Sequence, residues 1–179
     1  MKLFTQFLNK NDLKLDSKNI ALIAMMVAVI ETCKMAIAFL PNIELTSFLL
    51  IMFTLYFGAK ILYVIPVFIL IEGVIFGIGP WWIMYLYAWP ILVILTLFIQ
   101  KKESAFALAM LSGIFGLLFG AMCSLVYLVA GGPYAAISWW IAGIPWDLVH
   151  GISNFIIMLV LYKPMKHILN KTNTILYES

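Results

Sequence analysis

A chain of 179 residues that is 65% hydrophobic, only 11% charged, and has a mean hydropathy of +1.08 cannot cover a globular surface in water. It reads as one integral membrane domain, which excludes the soluble classes. The net charge of +3 does not point to nucleic acid, because the lysines are accounted for by membrane topology.

The first 19 residues are polar. No short apolar stretch with a small-residue cleavage site precedes the first span, so no cleaved leader is expected. A membrane helix needs about 20 mostly apolar residues. The first span is 20–40, followed by "PNIE" and a short second span, 45–57. "GAK" intervenes before the third, 61–78, and "GP" before the fourth, 81–99, which "QKKES" closes. The fifth, 105–130, runs up to "GGP"; the sixth is 137–161, and 162–179 form a tail. The expected fold is an all-α membrane protein of six transmembrane helices in a single domain, 1–179.

The chain has eleven lysines and no arginine. With six spans and both termini cytoplasmic, Lys2, Lys10, Lys14, Lys18, Lys60, Lys101, Lys102, Lys163, Lys166 and Lys171 all fall inside. The connections "PNIE", "GIGP" and "GGPYAAIS" hold no lysine, and only Lys34 is left within a span. That asymmetry matches the positive-inside rule. Cys33 and Cys123 lie in apolar runs and read as buried thiols, not a disulfide framework.

Charges inside spans are costly and mark cavities or partners. Here they are Glu31, Lys34, Glu72 and Asp147, with Glu44 in the first outer connection; the group is biased to the outer half. In the last span Asp147, His150, Gly151 and Asn154 fall at i, i+3, i+4 and i+7, on one helical face. Trp140, Gly143 and Met158 extend that stripe. The bland reading is helix-to-helix hydrogen bonding; convergence of uncommon residues at one depth favours a binding pocket. Of the six tryptophans, four flank outer ends, among them Trp82, Trp139 and Trp140. An interfacial belt explains such residues too, but a plain belt marks both sides. Small residues let helices approach closely in lipid. Ala24 and Ala28 make one such pattern, and Ala109, Gly113, Gly116, Gly120 and Ser124 a longer one.

With "ALIAMMVAVIE", "PNIELTSFLL" and "GIPWDLVHGISNF" in a small six-span chain, the sequence resembles the substrate-binding S components of energy-coupling factor (ECF) vitamin transporters. The resemblance covers the whole chain. It implies a prokaryotic plasma membrane, an outward pocket, and docking through Ala24 and Ala28 onto a transmembrane coupling subunit driven by two ATPase subunits. The chain has no "GxxxxGK[ST]" phosphate loop, so ATP would be used by those partners and no cofactor is expected here.

Glu31, Glu44, Glu72 and Asp147 against Lys34 disfavour an anionic solute. A neutral or cationic planar ring suits carboxylates and tryptophan faces: queuosine-like, pyridoxine-, thiamine- or riboflavin-like, with cobalamin as an alternative. A stand-alone secondary transporter, a purely structural membrane subunit and an intramembrane enzyme are the competing classes. Two histidines are too few for a catalytic zinc with about three protein ligands.

Overall fold

The computed structural model describes residues 15–99 and 104–177, with side chains to residue 172. Lys2, Lys10, Lys14, Lys101 and Lys102, which carry half of the charge asymmetry, lie outside the described residues. No strand occurs among the described residues.

Helix α1 (Ser17–Ala36) starts at Asp16, whose carboxylate accepts the Asn19 N–H at 2.8 Å as an N-cap. It stops short of the expected residue 40, because Pro41 disfavours helical backbone at the residue before it. An irregular segment follows, with Asn42 at φ 57. Helix α2 (Thr46–Phe57) is buried along ten of its twelve residues. That enclosure explains its short, all-round apolar sequence. Gly58, at φ 56, breaks the helix, and a 3-10 turn (Gly58–Lys60) leads into α3 (Ile61–Phe76).

Gly77 at φ 80 ends α3, and Pro80 opens α4 (Pro80–Ile99), where its missing N–H costs nothing. Helix α5 (Ala105–Leu117) is capped by Ser104, and α6 (Phe119–Tyr177) follows after a local break at Leu118. Within α6 the backbone leaves helical geometry at Gly132 (φ 78, ψ −177), with Pro133 opening the second arm. The reversal is therefore tight, where a longer "GGPYAAIS" connection was expected. The second arm also runs past residue 161, so the expected tail continues as helix to Tyr177.

The two arms pack antiparallel. A Cβ built on Gly113 would lie 3.1 Å from Phe155, one on Gly116 2.8 Å from the Gly151 Cα, and one on Gly120 2.4 Å from the Asp147 carboxylate. Further along, Tyr127 stacks on Trp139 at 4.1 Å. As the first positions advance, their partners recede at the same rate. Helix α5 and the first arm thus behave as one rod, the expected fifth span, lying against the second arm. The long small-residue stripe is what lets these backbones meet.

The buried apolar side chains form one cluster centred on α2. Outside it, large apolar side chains face outward, with Val129 90% and Phe98 74% exposed. Among the described residues four helical stretches are long and apolar enough to cross a membrane: Ser17–Ala36, Thr46–Phe76, Pro80–Ile99 and Ala105–Thr172. The second and fourth of these contain the breaks at Gly58 and Gly132.

Candidate functional site

One end of the bundle gathers the close of α1, the irregular segment 37–45, the start of α2, the close of α3, the start of α4, the start of the first α6 arm and the middle of the second. A cavity of about 510 Å³ opens there. Four of the sequence-predicted site residues line it: Lys34, Glu44, Glu72 and His150.

Glu44 is the best-held of them. Its Oε1 accepts from His150 Nε2 at 3.2 Å and from Asn154 Nδ2 at 3.0 Å, and its Oε2 accepts the Ser47 N–H at 2.8 Å. The last bond sits at the N-terminus of α2, where backbone donors and the helix dipole favour a carboxylate. Burial works against the charge. The His150 hydrogen bond, the His150 charge and the Ser47 contacts outweigh it and hold the carboxyl down at about 2. Asn154, 1% exposed, is a support beneath Glu44 and not a cavity wall.

Lys34 pairs with Glu72, which is fully buried. The ammonium also lies over three rings, at 5.0 Å from the Phe76 centroid, 5.5 Å from Tyr85 and 5.8 Å from Phe68. Glu31 faces the same pair from one turn earlier on α1, behind the cavity wall. Among the described residues neither of its carboxylate oxygens has a donor, and nor does Oε1 of Glu72, against which it packs.

Beside this pair the wall is aromatic. Trp81, Tyr85 and Trp89 form a ladder along α4, each ring about edge-on to the next at 5.2 and 5.1 Å. Phe119 carries it on, 5.7 Å from Trp89 and 4.9 Å from the His150 ring. The Trp89 indole N–H is buried without an acceptor among the described residues. Sequence reasoning did not single out Tyr85 or Phe119. Aromatics at i, i+4 and i+8 in "WWIMYLYAW" were the available signal for the ladder.

The remaining predicted residues lie elsewhere. Asp147 accepts the Gly120 N–H at 2.9 Å, and its other oxygen is buried without a partner among the described residues. It lines a neighbouring recess of about 440 Å³ with Trp139, Trp146 and Gly143. The two spaces share Pro41, Asn42, Phe119 and Cys123 as walls. Trp140 is exposed and lines neither. Trp82 is a packing wedge: its N–H donates to the Ile69 carbonyl at 2.8 Å, close against Gly73. Both cysteines are free thiols, Cys123 buried and Cys33 half-buried. Ala24 and Ala28 are exposed, on the face of α1 turned away from its buried Ile23, Met26, Val27 and Ile30.

No family model, no curated protein and no solved structure matches this chain.

Proposed function

We propose that the protein is the solute-capturing S component of an ECF-type transporter in a prokaryotic plasma membrane. On this reading the chain crosses six times with both termini cytoplasmic, each arm of α6 and each of α2 and α3 counting once. It takes a vitamin-like solute from outside and delivers it through a transmembrane coupling subunit and two ATPase subunits.

The cavity carries this reading. It is about 510 Å³, in the range that holds a ring-sized ligand. Two groups behind its lining, the acceptor Glu72 Oε1 and the donor Trp89 Nε1, are buried and make no hydrogen bond with a donor or acceptor among the described residues. Buried polar groups are normally paired, and a solute able to give and accept a hydrogen bond would complete both. The cavity also sits at the lysine-poor end. Lys18 opens α1, Lys60 lies at the α2–α3 turn, and Lys163, Lys166 and Lys171 lie well down the second arm from His150. A neutral or cationic planar ring suits the carboxylates and the aromatic ladder, and the volume favours it over cobalamin.

Mass spectrometry of small molecules released from the purified protein tests the capture. A ring-bearing micronutrient is expected in roughly stoichiometric amount. An empty protein that also gives no uptake when co-expressed with coupling and ATPase subunits would sink the reading.

Topology has its own test. Cysteines placed at Asn42 and Gly132 are expected to react with an impermeant reagent added outside intact cells, and one at Lys166 is not. The reverse pattern would turn the cavity inward and end the capture proposal.

The exposure of Ala24 and Ala28 supports docking by close helix approach. Replacing both with Leu is expected to cut uptake by about tenfold or more while binding by the isolated protein stays within about twofold. Equal loss of both would return these residues to a role in the chain's own stability.

A further inference from the structure

Lys34 occupies a site that would suit a ligand. Its ammonium is ringed by Phe68, Phe76 and Tyr85 and neutralised by a carboxylate with no exposure to solvent. Aromatic rings around an anion form a receptor for cationic groups. One turn back on the same helix, Glu31 keeps two buried oxygens with no donor among the described residues. Residues three apart on a helix are neighbours, so Lys34 can reach Glu31 without backbone movement. Resting on the capture reading above, we propose that solute binding is an ammonium exchange. A cationic N–H group of the solute takes Glu72 and the ring cage, and the Lys34 ammonium moves back to Glu31.

The charge count favours exchange over addition of an anion. Glu31 and Glu72 present two carboxyl groups, packed against each other, to one lysine, which pairs with Glu72, and the remaining cavity carboxylate, Glu44, is already engaged by His150, Asn154 and Ser47. An anionic solute would compete with Glu72 for the one ammonium that Glu72 already engages. A monocation leaves each carboxylate with one cation. Lys34 then has two uses. Before binding it keeps Glu72 from being a buried, unpaired charge, which would be costly. Afterwards it does the same for Glu31. It also sets specificity, because a neutral ring has no charge to replace the one it displaces.

Three compounds on one ring scaffold read the charge directly: pyridoxamine with an ammonium, pyridoxine with a hydroxyl, and 4-pyridoxate with a carboxylate. Binding of each to the full chain in detergent is measured by titration calorimetry. Wild type is expected to hold pyridoxamine about tenfold or more tighter than pyridoxine, with 4-pyridoxate weakest. Glu31→Gln leaves the displaced ammonium unpaired and is expected to erase about tenfold of the pyridoxamine preference while changing pyridoxine by about twofold or less. Glu31→Gln combined with Lys34→Met has no ammonium to rehouse, and pyridoxamine affinity is expected to return to about the wild-type value. This recovery cannot come from a misfolded single variant. Failure of the double variant to recover overturns the exchange, as does a wild type that binds pyridoxine or 4-pyridoxate as tightly as pyridoxamine. Tightest binding of 4-pyridoxate would leave the capture reading standing. Binding of none of the three overturns the exchange, and the capture reading falls with it only if the purified protein also yields no small molecule.

Discussion

Gly116→Ala is expected to lower the unfolding temperature of the purified protein by several degrees, although alanine is the better helix former. Two effects oppose one another. Removing a helical glycine gains about 1 kcal/mol through propensity. The added Cβ, however, would lie 2.8 Å from the Gly151 Cα, 2.9 Å from the Gly151 N and 2.9 Å from the His150 carbonyl carbon. All three are backbone atoms, so no side chain can rotate out of the way, and the α5 and second-arm rods must separate. Overpacking of this kind costs about 1–3 kcal/mol or more. In lipid, where close packing is a main source of helix association, the cost should win. Gly143→Ala is the control, because a Cβ there meets nothing within 4 Å. It should be neutral or stabilising by up to about 1 kcal/mol. The comparison is made by thermal unfolding in one detergent. A Gly116→Ala protein as stable as Gly143→Ala would mean that the hairpin contact is not as close as described.

The same hairpin shows what the sequence could and could not reveal. Small residues at 109, 113, 116, 120 and 124 mark a close-approach face on helical spacing alone, and "GGP" marks the reversal, because glycine adopts positive φ and proline opens a helix. Helix ends were less legible. Leu40 reads as part of the first span by hydropathy, yet α1 ends at Ala36 because of what Pro41 does to local backbone. In the site, periodicity places Asp147, His150 and Asn154 on one face but says nothing of what that face meets. Their fates differ. His150 and Asn154 converge on Glu44, more than a hundred residues earlier, while Asp147 turns to the Gly120 amide beside a separate recess. Pairing across such separations is a property of the fold, and no local pattern encodes it. Trp82 and Trp140 were singled out by residue type, which cannot tell a wedge against Gly73 or a surface ring from a cavity wall.

Glu44→Gln is expected to have the second large effect, and its size should depend on pH. The carboxylate accepts three hydrogen bonds, from His150, Asn154 and the Ser47 amide. A glutamine has one oxygen to offer, so whichever way it turns its NH2 meets at least one donor. Leaving a buried donor unpaired costs about 1–3 kcal/mol, more where charge is involved. The displaced carboxyl equilibrium leads to a similar figure. Glu44 is held at about 2 against an ordinary 4.5, which at 1.36 kcal/mol per pH unit corresponds to about 3 kcal/mol. The sign follows from the direction of that displacement. The folded protein holds the carboxylate charged more tightly than the unfolded chain does. The contribution is therefore complete above about pH 4.5 and disappears as pH falls towards 2. Wild type should exceed Glu44→Gln in unfolding temperature near neutral pH, and the gap should narrow steadily below pH 4.5. Binding should weaken as well, because this residue lines the cavity and fixes segment 37–45 to the second arm through His150 and Asn154. A stability gap that stays constant from pH 7 down to about 2.5 would show that the Glu44 charge contributes nothing to holding the segment, and that its hydrogen bonds serve equally well when the group is neutral.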